Sequence, residues 1–120
     1  MGGKASRTKG HSYERYIAQR MREVMPSAAE QIKRGFQTRG GGAEEADVEC
    51  PFFHVETKKG KKPNPRAALK QATEDATKSG RGNVPVAIIG DDRQPAFVVM
   101  SLEDWLDLVK EWWHMGELLK

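Results

Sequence analysis

Ala46-Asp47-Val48-Glu49-Cys50-Pro51-Phe52-Phe53-His54-Val55-Glu56-Thr57-Lys58 is the stretch that decides how the chain is read. It sets an acid on one short apolar strand and a Glu-x-Lys pair on the next. Side chains alternate faces along a strand, so Glu56 and Lys58 share one side while Phe53 and Val55 point to the other. Two carboxylates and an ammonium can therefore converge. Such groups are costly decoration for a strand that only has to pack, and they suffice to hold a divalent cation and direct a water at phosphate. Mg²⁺, with Mn²⁺ as its substitute, takes one or two carboxylates, a backbone carbonyl and several waters. Asp47 and Glu56 supply the carboxylates, and the Val55 or Thr57 carbonyl is the third ligand. Lys58 lies where an ammonium favours hydroxide and offsets charge developing on phosphorus.

Outward from this stretch, the remaining elements follow from periodicity and punctuation. Toward the N-terminus, Tyr13, Tyr16, Ile17, Met21 and Val24 recur at helical spacing from Ser12 to Met25, with Pro26 as the stop. Glu14 borders that apolar stripe. Residues 1–9 are small or basic and read as a flexible arm, leaving 10–120 as the folded domain. A short strand is expected over Ile32–Thr38, and Arg39-Gly-Gly-Gly-Ala-Glu-Glu reads as a loop. Toward the C-terminus, Asn64-Pro65 opens a helix that ends at Gly80, its inward side made of Ala68, Leu69, Ala72 and Ala76. Strands follow at Val84–Ile89 and Pro95–Met100. Ser101-Leu-Glu-Asp104 then caps a last helix rich in Trp and Leu. The order predicts an α/β fold: a single domain with a central mixed sheet of about five strands flanked by helices.

With 120 residues the chain builds one core. Its net charge of +3 is unevenly spread: residues 1–40 carry nine Lys or Arg against three acids, and residues 101–120 two against five. Lys58, Lys59, Lys61, Lys62, Arg66 and Lys70 follow one another without an acid between them. Such a cluster fits a phosphate backbone, though a solvated loop produces charge runs too. The single cysteine, Cys50, excludes an internal disulfide and any Cys/His zinc pattern, and points to a reducing interior. No apolar run reaches the ~20 residues needed to span a bilayer. A cytoplasmic protein without membrane attachment is the expectation, in the host cell's cytoplasm if a phage encodes it.

The helix bearing Glu14, the Asp47 strand, Glu56-Thr57-Lys58 on the next strand, and the helix and apolar strand beyond together resemble the PD-(D/E)XK nuclease superfamily. Ala46-Asp47 stands where that superfamily often has Pro-Asp. Lys9-Gly10-His-Ser-Tyr-Glu14-Arg15 further resembles the opening of archaeal-type Holliday junction resolvases. The resemblance implies metal-holding or metal-orienting roles for Glu14, Asp47 and Glu56, catalysis by Lys58, and a place near the active centre for Gln71. It implies a Mg²⁺-dependent endodeoxyribonuclease, a Holliday junction resolvase that hydrolyses phosphodiester bonds at branched DNA. Flaps, single strands and ordinary duplex remain alternative substrates, and a non-catalytic nucleic-acid-binding module remains an alternative class. No residue around Thr38-Arg39 matches the serine those resolvases carry before the Asp.

Arg7, Lys9, Arg15, Arg34, Arg39, Lys59, Lys61 and Lys62 are the expected DNA contacts. His54 shares the face of Glu56 but, as a lone strand histidine, reads first as structural. Tyr13 and Tyr16 read as core rather than as base-stacking platforms. The last helix has more apolar surface than one sheet face needs, which suggests a homodimer.

Overall fold

The computed structural model describes residues 3–35 and 46–120, with side chains from residue 10 onward. Three helices and five strands run in the order α1 (Gly3–Val24), β1 (Lys33–Arg34), β2 (Val48–Glu49), β3 (Phe53–Gly60), α2 (Pro65–Ser79), β4 (Val84–Asp91), β5 (Phe97–Val99) and α3 (Leu102–Leu118), with a 3₁₀ turn at Pro26–Gln31 after α1. The strands form one sheet in sequence order, β1-β2-β3-β4-β5. Only β3 and β4 run parallel, joined through α2; the other neighbours are antiparallel. The expected mixed five-stranded α/β domain is therefore what the chain forms.

β3 is the centre of the sheet. It pairs with β4 from Phe53↔Val84 to Gly60↔Asp91, and with β2 through Val48↔Val55 and Glu49↔His54. Its odd-numbered residues face α1, where Val55 joins Tyr13, Ile17, Ala18, Ile32, Val48 and Val86 in the larger apolar cluster. Its even-numbered residues face α2, beside the smaller cluster of Ala68, Ala87 and Ile89. A fully buried Val or Ile contributes ~1.5–3 kcal/mol, so the α1 face supplies most of the adhesion. The α2 face is left free to carry polar side chains.

Local chemistry sets the element ends. Asn64 caps α2 by accepting from the Ala67 N–H at 3.1 Å, Pro65 fills a first-turn position that needs no donor, and Gly80 closes the helix at φ +69°. Ser101 caps α3 in the same way, accepting from the Asp104 N–H at 3.1 Å.

Boundaries differ from expectation at several elements: β4 runs on to Asp91 and β5 is confined to Phe97–Val99, and two differences are larger. α1 begins at Gly3 rather than Ser12, because nothing in Lys4-Ala-Ser-Arg-Thr-Lys9 breaks a helix once the following turns have formed. The strand expected over Ile32–Thr38 is the pair Lys33–Arg34; its last residues, together with the glycine-rich loop and Arg39, lie outside the described residues. Two readings of side-chain placement also change. Tyr16, expected inside, is half exposed, while Tyr13 and Ile17 are buried as expected. No residue of α3 is buried, and Trp112 is 80% exposed.

Candidate metal centre

Asp47 enters the sheet irregularly. Its N–H donates to the Val55 carbonyl at 2.8 Å, although Val55 already faces Val48, so two residues stand against one as at a β-bulge. A carboxylate is re-aimed as a result. Asp47 Oδ2 accepts from the Thr57 N–H at 2.9 Å and from Thr57 Oγ1 at 3.4 Å, taking the ladder position that β2 no longer fills. Gly35 permits this approach. Its N–H donates to the Asp47 carbonyl at 2.7 Å, and a Cβ on it would collide with the Ala46 carbonyl oxygen.

Three acids meet around this open edge. Glu14 comes from α1, half-buried, and accepts from Arg34 Nη1 at 3.5 Å. Asp47 sits on the edge itself, and Glu56 rises from β3, 3% exposed. Burial raises the pKa of all three, and their mutual repulsion adds to it: Asp47 pushes on both Glu14 and Glu56. Glu56 is pushed up to about 8, by burial first and then by Asp47, with Lys58 opposing and Asp75 and Glu14 adding. The Thr57 amide and Lys58 oppose the shift of Asp47, and Arg34 that of Glu14.

Crowded acids held above their ordinary pKa in a solvent-poor corner are what a divalent cation relieves. The fit is supported by one atom. Glu56 Oε1 is buried and has no hydrogen-bond partner among the described residues, a cost of about 1–3 kcal/mol that a metal bond would remove. With Asp47 Oδ2 held by Thr57, a cation would take the other oxygen. The Thr57 N–H faces this edge, and so therefore does its carbonyl. Of the two carbonyls, that of Thr57 would be the one open to an ion, since that of Val55 accepts from the Asp47 N–H.

The other expected residues fall in several places. Lys58 is half-buried on the Glu56 face. Gln71 lies on α2, exposed, one turn before Asp75. Arg15, Lys61 and Lys62 are exposed, while Arg34 is engaged by Glu14 and Lys59 by Asp92 at 3.7 Å. The side chains of Arg7 and Lys9, like Arg39, are outside the described residues. The sequence reading missed Asp75, 7% exposed beneath α2. Its signal was present: Asp75 falls three residues after Ala72, on the inward stripe of the helix.

Residues 5–116 match the family described as "Phage putative PDDEXK endonuclease". The chain belongs to this family. The match covers nearly the whole sequence, so the helix, the Asp47 strand and the Glu-x-Lys strand fall within one family domain. No curated protein and no solved structure matches the chain. Among the described residues no helix is long and apolar enough to cross a membrane.

Proposed function

We propose that this PDDEXK-family chain is a divalent-metal-dependent DNA endonuclease that acts on branched DNA, Holliday junctions foremost, as a homodimer with Mg²⁺ as its ion. The observation that carries the hydrolytic reading is the cluster of Glu14, Asp47 and Glu56 around the orphaned Glu56 oxygen, with Lys58 alongside. Asp47, Glu56 and the Thr57 carbonyl would hold the ion, and Glu14 would orient its shell. The ion supplies a water of lowered pKa and a Lewis acid at phosphate. Lys58 favours the deprotonated nucleophile and offsets the charge that builds on phosphorus during in-line attack.

Preference for a branch point is supported by the Lys9-Gly10…Glu14-Arg15 resemblance and by the exposed Lys61, Lys62, Arg66 and Lys70 close after β3. Dimerisation is supported by α3. Trp105, Trp112, Trp113, Met115 and Leu118 are all more than half exposed, a concentration of large apolar side chains of the kind that marks an interaction surface. Five acids against two lysines after residue 100 make this end a poor DNA surface. A second copy of the same helix is a self-complementary partner, and a two-fold dimer presents two sites to a two-fold junction.

The test is cleavage of a four-way junction against a sequence-matched linear duplex, in Mg²⁺ and in EDTA. Metal-dependent cleavage that favours the junction is the expected result. Equal rates on the two substrates would discard the junction preference, and failure to cut any DNA in Mg²⁺ or Mn²⁺ would leave a binding module.

A further inference from the structure

Behind Glu56 lies a group of side chains that the nuclease reading does not use. His54 stands two residues before Glu56, on the same face of β3, and Asp75 reaches down from α2. One ligand atom from each lies within 4.8 Å of the others, and all three residues are buried. The small residues Ala72 and Ala76 allow α2 to come close enough for this. An aspartate in that apolar stripe is expensive unless something charged meets it. The Glu56 carboxylate aimed at this group is itself nearly fully buried and holds the unpartnered oxygen.

We propose that His54, Glu56 and Asp75 form a second cation site, on the α2 side of Glu56, that takes an imidazole-accepting ion such as Zn²⁺ or Mn²⁺ in preference to Mg²⁺. Two carboxylates and a neutral imidazole balance a dication, so the buried set becomes neutral when loaded. Ligands at about 2.1 Å from a tetrahedral zinc stand about 3.4 Å apart, so side-chain rotations that bring these atoms up to about 1.4 Å closer together close the site. Imidazole nitrogen is the ligand that separates zinc and manganese from magnesium, whose preference is for oxygen and water. An ion here would pin Glu56 from the helix side and tie α2 to β3. The proposal deepens the nuclease reading, which it needs only for the consequence of fixing Glu56.

Zn²⁺ titrated calorimetrically into the full chain with Mg²⁺ in excess tests it, using wild type, His54→Gln, Asp75→Asn and Asp47→Asn. Wild type and Asp47→Asn should bind a Zn²⁺ equivalent that His54→Gln and Asp75→Asn each weaken about tenfold or more, since a lost ligand costs at least as much as a lost outer-shell partner. Unchanged Zn²⁺ affinity in Asp75→Asn would overturn the site. Asp75→Asn is isosteric and carries the test if His54→Gln fails to fold, with far-UV circular dichroism confirming its structure. Co²⁺ gives a second readout, through a visible absorption band that should disappear in Asp75→Asn and persist in Asp47→Asn. DNA cleavage in Mg²⁺ alone separates the two readings: Zn²⁺ binding without cleavage sinks the nuclease assignment, and cleavage without Zn²⁺ binding sinks only this site.

Discussion

Replacing Glu56 by Gln removes the most strained charge in the fold while keeping its shape, and the consequence can be worked through. In the metal-free protein the Glu56 carboxyl sits at about 8 instead of its ordinary 4.5. The folded state therefore binds a proton that the unfolded state has released between those two values, so the contribution of Glu56 to stability is fully present below pH 4.5 and is lost as pH rises to about 8. At 1.36 kcal/mol per pH unit the ceiling on this loss is about 5 kcal/mol, and relaxation of the site brings the working figure to about 2–3. For a domain of this size that is roughly 10 °C in Tm.

Thermal and urea unfolding of EDTA-treated protein from pH 5 to 8.5 should show this decline in wild type. In Glu56→Gln the decline should be much shallower, and it survives in part because Glu14 and Asp47 shift in the same direction. Mg²⁺ should reverse the wild-type loss, by about 2.7 kcal/mol at a hundred times its Kd, more at pH 8 than at pH 6 because the ion displaces a proton. Parallel pH profiles for the two proteins, or an equal Mg²⁺ effect in both, would refute the account of Glu56 as a buried metal-seeking carboxylate.

Three further outcomes are expected. Asp47→Asn keeps an acceptor for the Thr57 N–H, so it should fold and bind DNA normally but lose detectable cleavage; an active purified variant would remove Asp47 from the metal site. Gly35→Ala drives a methyl into the Ala46 carbonyl and should cost ~1–3 kcal/mol in urea unfolding while displacing Asp47, so that the Mg²⁺ concentration for half-maximal cleavage rises. Trp112→Glu with Trp113→Glu should convert a dimer to a monomer in sedimentation without loss of helix content, and a wild type already monomeric at high concentration would end the dimer proposal.

Much of this was readable in advance, for local reasons. Asn64-Pro65, Gly80 and Ser101 act through backbone groups a few residues away, so α2 and the start of α3 fell where the letters put them. The alternation that set Glu56 and Lys58 apart from Val55 is a property of any strand. What escaped depends on contacts across the fold. Asp75 looked like one more charge on a charged helix although its spacing from Ala68 and Ala72 put it on the inward stripe, and what it meets there is set by the packing of α2 against β3. The ion pairs of Arg34 and Lys59, expected as DNA contacts, were not legible either. A long cationic side chain pairs with whichever acid the fold brings near, and here those are Glu14 and Asp92. The bulge at Asp47 has no sequence signature, since it arises from how β1, β2 and Gly35 share one edge.

Because β3 is hydrogen-bonded along its whole length to β4, the gap between Glu56 and Lys58 is fixed by the pleat of the backbone and cannot be widened without unzipping the sheet. On the proposed reading, a change of DNA preference would come through the surface cations and the exposed last helix, with Glu56 and Lys58 left in place. Attempts to retarget the enzyme should follow that division of labour, leaving the central strand alone and diversifying its rim.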